Sequence, residues 1–221
     1  METPTPFFFF FLMWLAIMFL VLIPLLRLPK AQSHEQVRCI VLVSAIIVTV
    51  LEVYKQINYS FSYESGITFD YQWYAFPFQF CSTPMYIGLL AGLIKKGKVH
   101  ESLCAYLATY AVFAGAAVML CPNDVFISTI GINIQTMICH GSMITIGIYL
   151  FATGYVKLEH KTLLRALPVF AVTVGLAAVM NEIAHLTGLL ETETFNMFYI
   201  SPYCDPHLLV YKDVQAVVPF P

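Results

Sequence analysis

Four apolar stretches of this chain carry polar residues of the kinds that do chemistry. They hold Glu52, Lys55 and Gln56; then Gln79, Cys81 and Thr83; then Asn133, Gln135, Thr136 and His140; and finally Asn181, Glu182 and His185. Cysteine and histidine are the nucleophile and base that suit each other, because an imidazole that takes the thiol proton leaves a thiolate. A carboxylate or amide can then hold the ring in the useful tautomer. Cys81 and His140 form the candidate catalytic pair, with Gln79, Asn181, Glu182, His185 and Glu52 as orienting, oxyanion or substrate contacts. An acyl group taken from a lipid would pass through a thioester, in apolar surroundings that keep water scarce.

Two other chemistries compete. His140, His185 and Glu182 include metal-ligand types, but no HxxxH or HxxE-type spacing joins the two segments, so neither a metal nor another cofactor is expected. Glu52 and Glu182 would suit proton or cation transport, although the chain shows no inverted repeat and no pair of helices broken at the midplane. There is also a purely structural reading. Asn, Gln, His and Thr commonly join membrane helices by hydrogen bonds, and Glu52 and Lys55 could neutralise each other by snorkelling.

The elements that must position these residues follow from composition and charge. The 221 residues are 59% hydrophobic and only 11% charged, with mean hydropathy +0.77, too apolar for an ordinary soluble globule. No basic groove with interleaved aromatics points to nucleic acid. Nine of the eleven Lys and Arg residues fall in three clusters: Arg27, Lys30 and Arg38; Lys95, Lys96 and Lys98; Lys157, Lys161 and Arg165. The alternate gaps are acidic, with Glu64 and Asp70, then Asp124, then Glu191, Glu193, Asp205 and Asp213. Basic loops stay on the cytoplasmic side, so the N-terminus is expected outside.

Six spanning helices are expected at roughly 7–28, 39–59, 77–95, 102–120, 129–155 and 163–187, each long enough for about 30 Å of hydrocarbon. The first run has Glu2 ahead of it and no basic n-region, and so reads as a retained helix rather than a signal peptide. Pro84 is expected to kink the third helix. Gly115, and the Gly175, Ala177, Ala178 run, should allow close helix approach. The fold class is thus all-α, a polytopic membrane bundle forming one domain over 1–221, with membrane phospholipids as partners and the plasma membrane as its location if the source is bacterial.

With this orientation all four polar sets lie in the outer half of the membrane. Glu182 and His185 are i,i+3, Asn181 and His185 are i,i+4, and Asn133, Thr136 and His140 follow i, i+3, i+7, so each set forms one stripe. Rise per residue puts His140 about 15 Å and Cys81 about 7 Å below the outer surface. A shared polar pocket is expected there. Six cysteines without CxxC spacing encode neither a zinc ribbon nor a disulfide scaffold, and a Cys121–Cys204 bridge is the pairing this topology permits outside. Asn58-Tyr59-Ser60 fits a glycosylation acceptor close to the membrane.

These residues also carry a family likeness. Phe76-Pro77-Phe78-Gln79-Phe80-Cys81 resembles the Leu-Pro-Leu-His-Leu-Cys pattern of the YwaF-like integral membrane proteins, whose animal branch is transmembrane protein 164. His140 followed by Ile148-Tyr149-Leu150 keeps that family's histidine and downstream triplet. Leu186 to Leu189, Asn196-Met197, Pro202 and Asp205-Pro206 resemble the stretch after its sixth helix. The resemblance implies a cysteine-dependent acyltransferase that moves acyl chains between phospholipids. Phe78 and Gln79 stand where the animal branch has its thiol and neighbouring histidine, whereas Cys81 matches the bacterial-type pattern. Relatives continue into a seventh helix near an element that Val218-Pro219-Phe220-Pro221 echoes, which implies a fragment or a natural short form. The alternative function is a non-enzymatic transporter or lipid-binding membrane protein.

Overall fold

The computed structural model describes residues 5–27, 33–62, 66–120, 125–188 and 195–204. Lys30, Glu64, Cys121, Asp124, Leu189, Glu191, Glu193, Asp205, Asp213 and the last four residues lie outside these ranges. Among the described residues there are seven α-helices: α1 (Thr5–Leu26), α2 (His34–Asn58), α3 (Thr83–Leu93), α4 (Lys98–Ala108), α5 (Tyr110–Leu120), α6 (Ile130–Ala152) and α7 (His160–Thr187). Four uninterrupted or paired stretches are long and apolar enough to cross a membrane: α2, α4 with α5, α6, and α7. Phe11–Leu26 and α3 are shorter apolar helices.

Two expected helices differ from the sequence reading. The stretch at 77–95 is helical only from Thr83, because its two prolines divide it. Phe76, which precedes Pro77, is held extended at φ −49°, ψ 136°, as a residue before proline must be. Pro84 does not kink α3. It sits in the first turn, where its missing N–H deprives the helix of nothing. Residues 77–82 are therefore turns, and Gln79 and Cys81 lie on this turn segment rather than on a helix. The second difference is a break between α4 and α5 at Thr109 (φ −122°, ψ −82°). Its hydroxyl donates to the Ala105 carbonyl at 2.7 Å, the local bond by which threonine competes with the helical ladder.

One end of the bundle gathers the basic residues. There Ser33 caps α2 through a capping box with Gln36, and Arg38 donates to Gly92 O at 2.8 Å and Leu93 O at 3.3 Å, at the carbonyl end of α3. Helices α2 and α3 run antiparallel and very close: a Cβ at Gly88 would lie 2.9 Å from the Ala45 Cβ, and one at Gly92 only 2.6 Å from the Leu42 Cβ. Gly115 likewise admits the His140 carbonyl of α6, at 2.8 Å from where its Cβ would be. Gly175, by contrast, faces open space, so the small-residue run on α7 contributes through Ala177, which is fully buried. The core lies among α2 to α6, around Tyr106, Tyr149 and Leu150.

The opposite end is built from the segment after α2 and the segment after α7. A two-stranded hairpin, Phe61–Ser62 with Thr68–Phe69, leads to a 3-10 turn at Trp73–Ala75. A second 3-10 turn, Met197–Tyr199, packs its neighbours Phe195 and Met197 against Trp73, Phe76, Phe78 and Met180. The post-α7 segment thus lies over the 76–79 turn.

Candidate functional site

At this second end a charged pair is buried inside α2. Glu52 is 5% exposed, and Lys55 Nζ lies 2.7 Å from its Oε1. An isolated charge at membrane depth would cost about 2.5–3.5 kcal/mol on insertion scales, so the pair and its hydrogen bonds stand or fall together. Gln56 Nε2 donates to Glu52 Oε1 at 2.8 Å and to Ala75 O at 2.8 Å, while the Tyr71 hydroxyl donates to Gln56 Oε1 at 2.6 Å. From α6, Gln135 Nε2 reaches Glu52 Oε2 at 3.4 Å. Helices α2 and α6 therefore meet on one carboxylate, and the loop is tied to it through Gln56.

Cys81 and Cys139 sit beside this pair. Cys139 follows Gln135 by four residues and so lies on the same face of α6; its Sγ is 3.9 Å from the Cys81 carbonyl. The fields of Lys55 and Glu52 reach both thiols, and that of Lys55 also reaches His140. His140 is buried at 5% exposure, and its Nδ1 lies 2.7 Å from the Thr136 carbonyl. A carbonyl only accepts, so Nδ1 carries the ring proton and Nε2 is left with its lone pair in the neutral ring. That Nε2 is buried and has no hydrogen-bond partner among the described residues, the Cys81 thiol included.

Gln79 and Asn181 hold the post-α7 segment. Gln79 Nε2 donates to Asn196 O at 3.0 Å, and its Oε1 accepts from Phe198 N at 3.1 Å. Asn181, 3% exposed, donates from Nδ2 to Met197 O at 3.0 Å and accepts Met197 N at 2.8 Å. Asn196 Oδ1 accepts Ser201 N at 2.9 Å. These bonds fix a strained turn, since Phe198 and Tyr199 both adopt left-handed φ values of 59° and 56°.

Glu182 and His185 share a helix with Asn181 but not its surroundings. Both are exposed on α7, where Tyr203 donates to Glu182 Oε2 at 2.9 Å and stacks on the His185 ring at 3.5 Å. Asn133 instead secures the start of α6, bonding Ile127 N at 2.9 Å and Ile127 O at 2.8 Å. The Cys121 half of the expected bridge lies outside the described residues, while Cys204 Sγ is 3.6 Å from Phe195 O.

Sequence reasoning missed Cys139, Tyr71 and Asn196 as parts of this end. For Cys139 a signal existed: its i,i+4 spacing from Gln135 puts it on the stripe that meets Glu52. For Asn196 the one signal was the family likeness at Asn196-Met197, and for Tyr71 there was none, because it lies on irregular backbone whose path no periodicity reveals.

This end of the bundle holds a thiol, a buried imidazole with a bare nitrogen and an ion pair, and a turn clamped to Gln79 and Asn181. No curated protein and no solved structure matches the chain. A family model does, over residues 2–214, which takes in α1 through the segment that closes over Gln79; with its apolar helices the chain is a multi-pass membrane protein, and it belongs to the TMEM164 family.

Proposed function

We propose that the chain is a membrane-embedded lipid acyltransferase or acyl hydrolase in which Cys81 is the nucleophile and His140 the base. The observation that carries this reading is the His140 ring. Its proton is tied to Thr136 O and its Nε2 is a buried, unpartnered acceptor, which is what a base awaiting a proton requires. In the first half-reaction Nε2, which the thiol does not contact in the resting chain, reaches the Cys81 thiol proton as a phospholipid enters, and the sulfur attacks its ester carbonyl. A C–S bond forms, the ester C–O bond breaks, and the departing alkoxide leaves as an alcohol with the proton from His140. In the second, His140 removes the proton of a lysolipid hydroxyl or of water. That oxygen attacks the thioester, and the thiol is restored with the returning proton.

Lys55, in reach of the thiol, is suited to stabilising thiolate character, and Glu52 and Gln135 hold Lys55 and its surroundings in place. Gln79 and Asn181 act by securing the turn that follows α7. The charge pattern supports six spans with the N-terminus outside and the Cys81 end toward the extracytoplasmic leaflet.

A thiol-reactive lipid probe applied to the purified chain in phospholipid nanodiscs tests the reading. Labelling at Cys81 that disappears in His140→Ala, with acyl transfer lost in both Cys81→Ser and Cys81→Ala, is the expected result. Full transfer activity in both cysteine variants would remove the thiol mechanism. In that case cation or proton flux in liposomes, tested with Glu52→Gln, becomes the reading to pursue.

A further inference from the structure

A second polar cluster lies at the basic end, far along α2 from Glu52. His34 opens α2, His100 and Cys104 lie on α4, and Tyr155 lies in the turn between α6 and α7. His34 Nε2 meets the Lys95 carbonyl and His34 Nδ1 meets the Tyr155 hydroxyl. The same hydroxyl is 2.7 Å from His100 Nε2, whose other nitrogen, Nδ1, is 3.1 Å from Ala91 O. Cys104 Sγ lies 3.4 Å from His100 Nε2, and the two imidazole centroids are 4.9 Å apart.

The protons of this cluster can be counted. Each carbonyl needs an N–H, so His34 carries one on Nε2 and His100 one on Nδ1. In the neutral rings the remaining nitrogens, His34 Nδ1 and His100 Nε2, are both bare acceptors aimed at one tyrosine oxygen. A tyrosine hydroxyl has a single hydrogen and satisfies only one of them; the Cys104 S–H, 3.4 Å from His100 Nε2, is a weak donor to that nitrogen but puts no hydrogen between it and the tyrosine oxygen. At the other nitrogen two lone pairs face each other. One added proton removes the conflict: a charged His34 donates from Nδ1 to the Tyr155 oxygen, and Tyr155 donates to His100 Nε2. A second proton would recreate it, leaving the tyrosine hydrogen without an acceptor and two like charges in adjoining rings.

We propose that His34, Tyr155 and His100 form a one-proton switch, whose singly protonated state ties the start of α2, the α3–α4 turn, α4 and the α6–α7 turn into one hydrogen-bonded unit. The other charged or titratable groups at this end are Glu35 and Arg38 on α2, Lys95, Lys96 and Lys98 around the α3–α4 turn, and Glu101 and Cys104 on α4. Cys39 follows Arg38, Lys157 and Glu159 follow Tyr155, and His160, Lys161 and Arg165 open α7. Arg38 is engaged by Glu35 at 2.6 Å and Arg165 approaches Glu101 at 3.9 Å, so the nearest carboxylates already have partners of their own. The switch stands apart from Cys81 and His140 and does not depend on their role.

The test is nitrogen-15 NMR of histidine side chains in the full chain in nanodiscs, together with thermal unfolding, between about pH 8 and about pH 5. The two rings together are expected to take up one proton in a single coupled step. Tyr155→Phe should split that step into separate titrations. The proton bridged through Tyr155 is what the unaltered cluster holds and Tyr155→Phe lacks, so what it adds belongs to low pH. The difference in unfolding temperature between the unaltered chain and Tyr155→Phe should therefore be larger at about pH 5.5 than at about pH 8. Two protons taken up independently, no proton taken up, or an unfolding difference that ignores pH would each overturn the proposal. Should Tyr155→Phe fail to fold, the proton count of the unaltered chain decides by itself.

Discussion

Gln79 and Asn181 grip one short turn from two sides, Gln79 through the peptides of Asn196 and Phe198 and Asn181 through both polar groups of Met197. Four hydrogen bonds thus join the turn before α3 and the end of α7 to a segment that follows α7 in sequence. That is how two left-handed residues, Phe198 and Tyr199, are kept in place.

Asn181→Ala should release this turn. It leaves the buried N–H and carbonyl of Met197 unpaired, at about 1–3 kcal/mol for each group left unsatisfied. A lower unfolding temperature with faster proteolysis between Phe195 and Cys204 is expected. Unchanged proteolysis would show that the clamp does not hold the segment.

His140→Ala should lower acyl transfer by about 100- to 10,000-fold, the usual worth of a positioned general base. Cys139→Ser, which keeps a small polar group beside the Cys81 carbonyl, should retain transfer. Mass spectrometry of the trapped acyl-enzyme checks the assignment: an acyl group on Cys139 in place of Cys81 would move the nucleophile to α6.

Glu52→Gln strands the Lys55 ammonium, and breaking a buried pair from one side costs about 3–5 kcal/mol. Combining it with Lys55→Met should recover much of that loss. A double-mutant cycle on unfolding free energies measures the coupling, and strictly additive losses would mean the two charges do not depend on each other.

Gly92→Ala puts a methyl 2.6 Å from the Leu42 Cβ and forces α2 and α3 apart, an overpacking loss of about 1–3 kcal/mol. Leu42→Gly in the same chain, which removes that Cβ, should restore part of it. If Gly92→Ala alone leaves the unfolding temperature unchanged, the close approach is absent.

Tyr71 lies in the loop after α2, and its pKa is pushed up to about 12, first by burial and then by the negative charge of Glu52 and by Tyr86. With its folded pKa above the unfolded value of 10.0, its contribution is complete below pH 10.0 and fades as pH rises through about 12. The ultraviolet difference between the unaltered chain and Tyr71→Phe should accordingly show a phenol ionising near the upper value. Ionisation near 10 would contradict a buried hydroxyl bonded to Gln56.

The helices were legible because their apolar runs are long. The polar residues of α2 and α6 were also found at compatible depths, and Glu52 and Gln135 do meet. What escaped was decided by backbone that is neither helix nor strand. Pro77 and Pro84 together turn 77–82 out of the third helix, so counting residues along a helix could not place Cys81. On α7, stripe reasoning grouped Asn181 with Glu182 and His185. Only the segment at 195–204, which covers one side of that helix, separates the buried Asn181 from its exposed neighbours. The cluster of His34, His100 and Tyr155 was invisible for the same reason: it joins residues 121 positions apart through a turn.

Lys55 follows Glu52 by three residues on the same helix, and this proximity bears on how the protein is made. A segment that brings its own counter-ion can leave the translocon for lipid unaided, without waiting for a neighbour to supply one. Such a helix is able to enter the bilayer early, and later-arriving segments then dock onto a carboxylate whose charge is already answered.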